Sequence, residues 1–513
     1  MDTGTTEKPA AADEFAPSIG ESTDPAELAA ILERQRRAFL AEGPPTAAVR
    51  RERIDRLLAM VLDNIDDFVE AMSRDFGTRS RTGTMFAEIM GMLSPIENTR
   101  KHTARWMRPA KPTPLGRLTG LRTEVHPSPL GVVGIIGPWN FPLQLVVVPA
   151  ASAFAAGNRV MIKMSEVTAH TAELTRKLAA TYFDPAELAV VTGGPDVGAA
   201  FTRLPLDHLF FTGSTGVGRH VQRAAAENLV PVTLELGGKN PVVVAADADL
   251  DRAADRIARA RMVNGGQVCV CPDYVFVPAD RIDRFVDTLR GKLREMFPAI
   301  LANDDYTASV DTANYERIVG LVEDARARGA HIEELAPEGE TLPDATARKI
   351  APTLIRDVTD DMPIANEEIF GPVLLIRPYT DLDTVIDHIN ARPSPLVAYW
   401  YGPDRADFRR FVANTRSGGI ARNEFAIHMY SEEAPFGGVG HSGMGAYHGK
   451  TGFDTFSHMR TVASTDLPFA VTSIAAPPFG RRTAKFVEIA LRTAHRRNRR
   501  RVRGKLPGAA PTA

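Results

Sequence analysis

Apolar residues at helical spacing dominate the first stretch of the chain. Asp24-Pro25-Ala26-Glu27 has the form of an N-cap with proline at the first helical position, and the pattern behind it predicts a helix through Phe39. Leu57, Leu58, Val61 and Ile65 predict a second helix. At Gly131-Val132-Val133-Gly134-Ile135-Ile136-Gly137 the helical period gives way to an unalternated β-branched run that ends at Pro138. Such a run predicts a parallel strand buried on both faces.

Similar runs recur at residues 159–162, 189–191, 208–211 and 241–244, with helix-like stretches between most of them. The alternation predicts an α/β fold, an open and mostly parallel sheet with helices on both faces. A second series of strands and helices begins after Gly238 and runs to about Pro435. No repeat with a period of roughly 20–50 residues is present, which disfavours a solenoid.

The length of 513 residues exceeds one ordinary core and implies two or three domains. Two cysteines cannot build a disulfide framework, so a reducing compartment, the cytoplasm, is expected. The first 23 residues are acidic, rich in Thr, Ala and Pro, and lack the apolar centre of a signal peptide; they are expected to be disordered. A net charge of −2 predicts no nucleic-acid partner. That figure conceals a basic end, because nine Arg and two Lys face the single acid Glu488 between Arg481 and Lys505.

Several segments carry chemistry. Cys269, in Gly265-Gly266-Gln267-Val268-Cys269, is a candidate nucleophile, with Glu235 of Leu234-Glu235-Leu236-Gly237-Gly238-Lys239-Asn240-Pro241 as its base, directly or through water. The glycines before Cys269 suit close approach of a substrate; a buried free cysteine is otherwise commonly inert. Cys271 adds only a second thiol, short of the four ligands of a structural zinc, and no metal is expected. Asn140, between Pro138 and Pro142, is placed to donate to an oxyanion or else to bond its own turn.

Gly213-Ser214-Thr215-Gly216-Val217-Gly218 follows a strand and precedes a helix expected to start near Arg219, which suits a diphosphate and equally a plain helix cap. Lys163 and Glu166 stand at a strand's carboxyl end, where a ribose can be bound, or where Lys is solvated and Glu caps a helix. Glu368 and Phe370 of Asn366-Glu367-Glu368-Ile369-Phe370-Gly371-Pro372 suit a second ribose and a nicotinamide ring, or a surface acid beside a core Phe.

In this order, the segments resemble the aldehyde dehydrogenase superfamily over roughly Asp24 to Ser457. Pro435-Phe436-Gly437-Gly438-Val439-Gly440, residues 442–450 and Phe453-Asp454-Thr455-Phe456-Ser457-His458 resemble the class 3 branch, which includes fatty, aromatic and bacterial coniferyl aldehyde dehydrogenases. The resemblance implies a Rossmann-like NAD(P)-binding domain at 24–234, a catalytic domain at 235–435, a return segment with an oligomerisation strand at 436–465 and a basic extension at 466–513. Residues 117–130 would join a small oligomerisation sheet, its strand near 121–125 meeting residues near 445–457 of a homodimer.

It further implies Cys269 as nucleophile, Glu235 as general base and Asn140, with the Cys269 amide, as oxyanion hole. Ile136, Trp139, Lys163, Glu166, Gly213, Ser214, Gly218, Leu236, Glu368 and Phe370 become contacts of NAD or NADP, with NAD favoured by Glu166. Met164, Cys271, Ala421-Arg422 and His441 depart from the family's usual residues. The implied reaction is oxidation of an aldehyde to the acid through a cysteine thiohemiacetal and a thioester, with coniferyl or another aromatic aldehyde ahead of a medium- or long-chain aliphatic one. A CoA-acylating enzyme and a non-catalytic binding scaffold are the rivals. Phe486, Ile489 and Ala490, at helical spacing among the arginines, predict either a weak peripheral contact with the inner membrane surface or a solvated tail.

Overall fold

The computed structural model describes residues 22–112, 120–470, 472 and 476–502. Most of the expected acidic tail, the start of the 117–130 segment and the chain beyond Val502 lie outside the described residues. The described residues form two compact units, one within Met1–Arg108 and Pro127–Met459, the other within Pro109–His126 and Arg460–Ala513.

In the larger unit the first helix is Pro25–Glu42, with the Asp24 carboxylate accepting from the Ala26 amide at 2.8 Å. The second expected helix divides. It ends at Leu62, and Ile65 opens a new helix, Ile65–Phe76, with Asp66 and Asp67 in its first turn. The apolar spacing crosses the break because Leu57, Val61, Phe68 and Met72 share one core.

Six strands form the first sheet, in the order Gly443–Met444, Val232–Leu236, His208–Gly213, Val132–Ile136, Arg159–Lys163, Leu188–Val191. All neighbours are parallel except Gly443–Met444, which runs antiparallel to Val232–Leu236. Every residue of Val132–Ile136 is buried, as its unalternated sequence requires. From Val132–Ile136 the chain first adds strands on one side, then returns to add His208–Gly213 on the other. The carboxyl ends of these two neighbours therefore frame a topological switch point, the usual ligand crevice of such sheets.

The helix after His208–Gly213 begins at Thr215, not near Arg219, because the Ser214 hydroxyl caps it by accepting from the Val217 amide. The second sheet has the order Gly419–Arg422, Val397–Tyr401, Asn240–Val244, Pro272–Pro278, Val373–Tyr379, Thr353–Arg356, His331–Glu334. Only the last of these is antiparallel to its neighbour. The chain passes from the first sheet to the second through Gly237, Gly238 and Lys239. The active-site candidates Glu235 and Cys269 stand on either side of that passage in sequence, and Cys269 directly precedes the strand Pro272–Pro278.

Leu121–Pro129 pairs with Ser457–Thr465 in a two-stranded sheet. The expected pairing with residues near 445–457 is corrected by this register, since Gly449–Thr455 is a helix. In the smaller unit Arg122 pairs with Asp466 at 2.6 Å, and Arg481–Val502 forms a helix.

Candidate active site

One cavity of about 1190 Å³ opens at the switch point. It is lined by Ile136, Trp139, Asn140, Lys163, Glu166, Gly213, Ser214, Glu235, Leu236, Cys269, Glu368 and Phe370, so the structure brings together twelve of the thirteen residues singled out from sequence. The exception is Gly218. It is buried in the helix Thr215–Ala226, where a Cβ would stand 2.7 Å from Leu236 Cδ2, and it serves helix-to-strand packing.

The segment before Cys269 is shaped by backbone strain. Asn264, Gly265 and Gly266 all take positive φ, at 51°, 63° and 81°. A Cβ on Gly265 would lie 2.7 Å from the Thr307 carbonyl oxygen, and one on Gly266 only 2.2 Å from that of Gly371. The two glycines are thus required by close backbone approach and left-handed geometry, rather than by room for a substrate. Asn tolerates the same region better than most residues. Cys269 is partly exposed and faces the cavity. Cys271 is turned into the core, with its Sγ donating to the Ala260 carbonyl at 3.3 Å.

Asn140 is buried, and its side-chain amide donates to the Gln267 carbonyl at 3.1 Å. It does not bond its own turn, and one N–H is left to point elsewhere. Its backbone carbonyl accepts from Arg79 at 3.0 Å and from the Asn264 amide at 3.3 Å. Arg79 lies over the Phe76 ring and 3.4 Å from Glu88, both members of the pair buried. Glu88 sits in a π-helical stretch, Met85–Met90, and accepts from the Gln144 amide at 2.8 Å. Sequence reasoning missed Arg79, Glu88, Asn264 and Gln267. Leu145, Met429, Phe436 and Tyr447, which add an apolar and aromatic wall, were not assigned either.

Electrostatics follow from burial. Both Glu235 carboxylate oxygens are buried with no hydrogen-bond partner, and burial raises the carboxyl well above its ordinary pKa. Glu368 is pushed up to about 8, first by burial and then by the charge of Asp273. Burial, followed by the charges of Glu368 and Glu235, pushes the Cys269 thiol up to about 12. The thiol is therefore neutral at ordinary pH in the free protein. Ionising it calls for a base that accepts its proton or a cation brought into the cavity.

The opposite wall suits a dinucleotide. The Ser214-capped helix points its free amides toward the crevice, a favourable place for a diphosphate. Lys163 Nζ and Glu166 pair at 2.6 Å at the end of Arg159–Lys163, where both can turn to a ribose. Glu368 Oε1 is buried and unpartnered, its carboxylate packed where a Gly237 Cβ would otherwise be. Phe370 holds a strained φ of 55° and meets Trp139 edge-on at 5.2 Å. Among the described residues no cluster of His, Cys, Asp or Glu is suited to a metal ion.

Comparison with known families matches residues 6–462 to the aldehyde dehydrogenase family, and the chain belongs to it. It is 45% identical over 436 residues to a coniferyl aldehyde dehydrogenase of a Pseudomonas species, covering 85% of this chain and 90% of that protein. A probable coniferyl aldehyde dehydrogenase of Caulobacter vibrioides is 44% identical over 462 residues, 89% of this chain and 95% of its own. The substrate-bound structure of AldH from Staphylococcus aureus superposes with a TM-score of 0.83 at 35% identity, covering 90% of this chain and 99% of that one. The fold is that of aldehyde dehydrogenases, and the protein is an enzyme using NAD or NADP.

Proposed function

We propose that the enzyme oxidises coniferyl aldehyde, or a close aromatic relative, to the carboxylic acid, with Cys269 as nucleophile, Glu235 as general base and Asn140 in the oxyanion hole. The observation that carries the reading is Glu235: a buried carboxyl with both oxygens unpartnered, facing the same cavity as Cys269. A group so desolvated is a stronger base than an ordinary carboxylate once ionised, and its site has room for a water.

The Cys269 thiol gives up its proton to water in the cavity as Sγ adds to the carbonyl carbon. The resulting oxyanion accepts from the free N–H of Asn140 and from the Cys269 backbone amide. A bound oxidised dinucleotide would supply the acceptor for the hydride lost from that carbon, leaving the acyl group on Cys269 Sγ as a thioester. Glu235 then takes a proton from water, which attacks the acyl carbon, and Sγ leaves as the acid forms. Ile136, Trp139, Lys163, Glu166, Gly213, Ser214, Leu236, Glu368 and Phe370 hold the dinucleotide; Gly218 supports that wall through Leu236. Glu166 favours a free ribose hydroxyl and hence NAD over NADP.

The aromatic substrate is supported by the Phe436 and Tyr447 wall and by the kinship with coniferyl aldehyde dehydrogenases. The enzyme is further read as a cytoplasmic homodimer, because a two-stranded sheet gains stability when an edge is paired. Steady-state kinetics with coniferyl aldehyde and decanal, each with NAD and NADP and with and without CoA, test these readings. The aromatic aldehyde should exceed decanal in kcat/KM by about tenfold, consistent with the usual worth of shape in apolar pockets. A preference for decanal, or a requirement for CoA, contradicts them.

A further inference from the structure

We propose that the helix Arg481–Val502 docks this enzyme on an anionic phospholipid bilayer surface. The family match stops at residue 462, so the helix is an addition to the catalytic fold. It contains no buried residue, and Phe486 and Leu491 are each 65% exposed. At 3.6 residues per turn, Phe486, Val487, Ala490, Leu491 and Ala494 share one face. Arg481, Lys485, Arg492, Arg496 and Arg499 share the opposite face. Ile489, 55% exposed, flanks the apolar face beside Phe486 at the i, i+3 spacing expected of one helix surface.

The occupant follows from this division. Glu488 is the single acid of the helix, and it pairs with Arg492 at 2.6 Å. No other acid stands on the helix to pair with the remaining cations, which favour an anionic partner. A polyanion alone, such as a nucleic acid, accounts for the arginines and leaves Phe486, Val487 and Leu491 in water. A second copy of the helix would bring like charges together along its flanks.

A bilayer surface meets both faces at once. The apolar side chains enter the boundary between headgroups and acyl chains, while the long Arg and Lys side chains reach anionic headgroups. The last turns, with Arg496, Arg497, Arg499, Arg500 and Arg501, are basic on nearly every side and add charge rather than depth. No helix among the described residues is long and apolar enough to cross a membrane, so the contact is peripheral.

The test is flotation of the full-length enzyme with phosphatidylcholine vesicles, with and without phosphatidylglycerol, at low and high salt. Binding to the anionic vesicles at low salt and release at high salt are expected. The double variant Phe486→Glu/Leu491→Glu should bind at least about tenfold more weakly, because two apolar contacts with the acyl boundary are lost. Its aldehyde oxidation in free solution should equal that of the parent, which shows the fold intact. An enzyme that floats with neither vesicle overturns the proposal. So does a double variant that floats as well as the parent, since the helix would then act as a general polyanion site.

Discussion

The side-chain amide of Asn140 donates to the backbone carbonyl of Gln267, two residues before Cys269, at 3.1 Å. This bond ties the turn after Val132–Ile136 to the loop that carries the thiol, so the donor and the nucleophile are positioned as one unit. Replacing Asn140 with Ala should lower kcat by about 10²–10³-fold, the usual cost of losing one oxyanion donor. Dinucleotide affinity should change little. Single-turnover NADH formation and fluorescence titration of the dinucleotide separate the two quantities.

Glu235 should limit deacylation more than hydride transfer. In Glu235→Gln a pre-steady-state burst of NADH should be followed by little turnover, because the amide keeps the shape and cannot take a proton from water. The pH profile supplies a second test. Burial raises the Glu235 pKa, so its basic form appears only as pH rises above the ordinary carboxylate range, and kcat should climb through that raised region. The climb should be absent from whatever activity the Gln variant retains.

The buried Arg79 and Glu88 pair holds the Asn140 carbonyl from behind. Glu88 is pushed up to about 7 by burial, with Arg79 opposing, so the folded state retains a proton that the unfolded state releases near pH 4.5. The folded form binds more protons in that window, and its stability contribution is therefore greatest below about 4.5 and declines as pH rises toward about 7. Denaturant midpoints should fall more steeply with rising pH across this range in the parent than in Glu88→Gln. An identical slope in both proteins would remove Glu88 from the account.

Gly266→Ala places a Cβ 2.2 Å from the Gly371 carbonyl oxygen in a residue with φ of 81°. Gly329 also has positive φ, at 91°, with no atom near its would-be Cβ. Gly329→Ala should cost about 1 kcal/mol from backbone strain alone, and Gly266→Ala clearly more, with activity lost as the Cys269 loop shifts. Thermal unfolding of the two variants measures the difference.

The fold's parallel strands were legible because strands buried on both faces read as continuous apolar runs, as at Val132–Ile136 and Asn240–Val244. The strand Ser457–Thr465 had no such pattern, because all but its first residue are exposed and nothing in its polarity alternates; only the family resemblance implied a strand within residues 436–465. Ser214 gave a usable cap signal, but the glycines after it masked a helix that starts at Thr215. The candidate site was legible where chemistry sits in the side chain, as at Cys269, Glu235 and Lys163. Arg79 and Asn264 act on a carbonyl of Asn140 far away in sequence, and a backbone acceptor leaves no mark on residue type.

The most direct measurement compares Cys269→Ala with Cys271→Ala, reading NADH production at saturating aldehyde together with intact-protein mass after aldehyde and NAD are mixed. Cys269 faces the cavity while Cys271 is buried in the core beside the Ala260 carbonyl. Cys269→Ala should form no acyl adduct and lose turnover while still binding NAD, and Cys271→Ala should keep both the adduct and most of the rate. An acyl adduct in Cys269→Ala, or equal loss of turnover in the two variants, would contradict the assignment of Cys269 as the nucleophile.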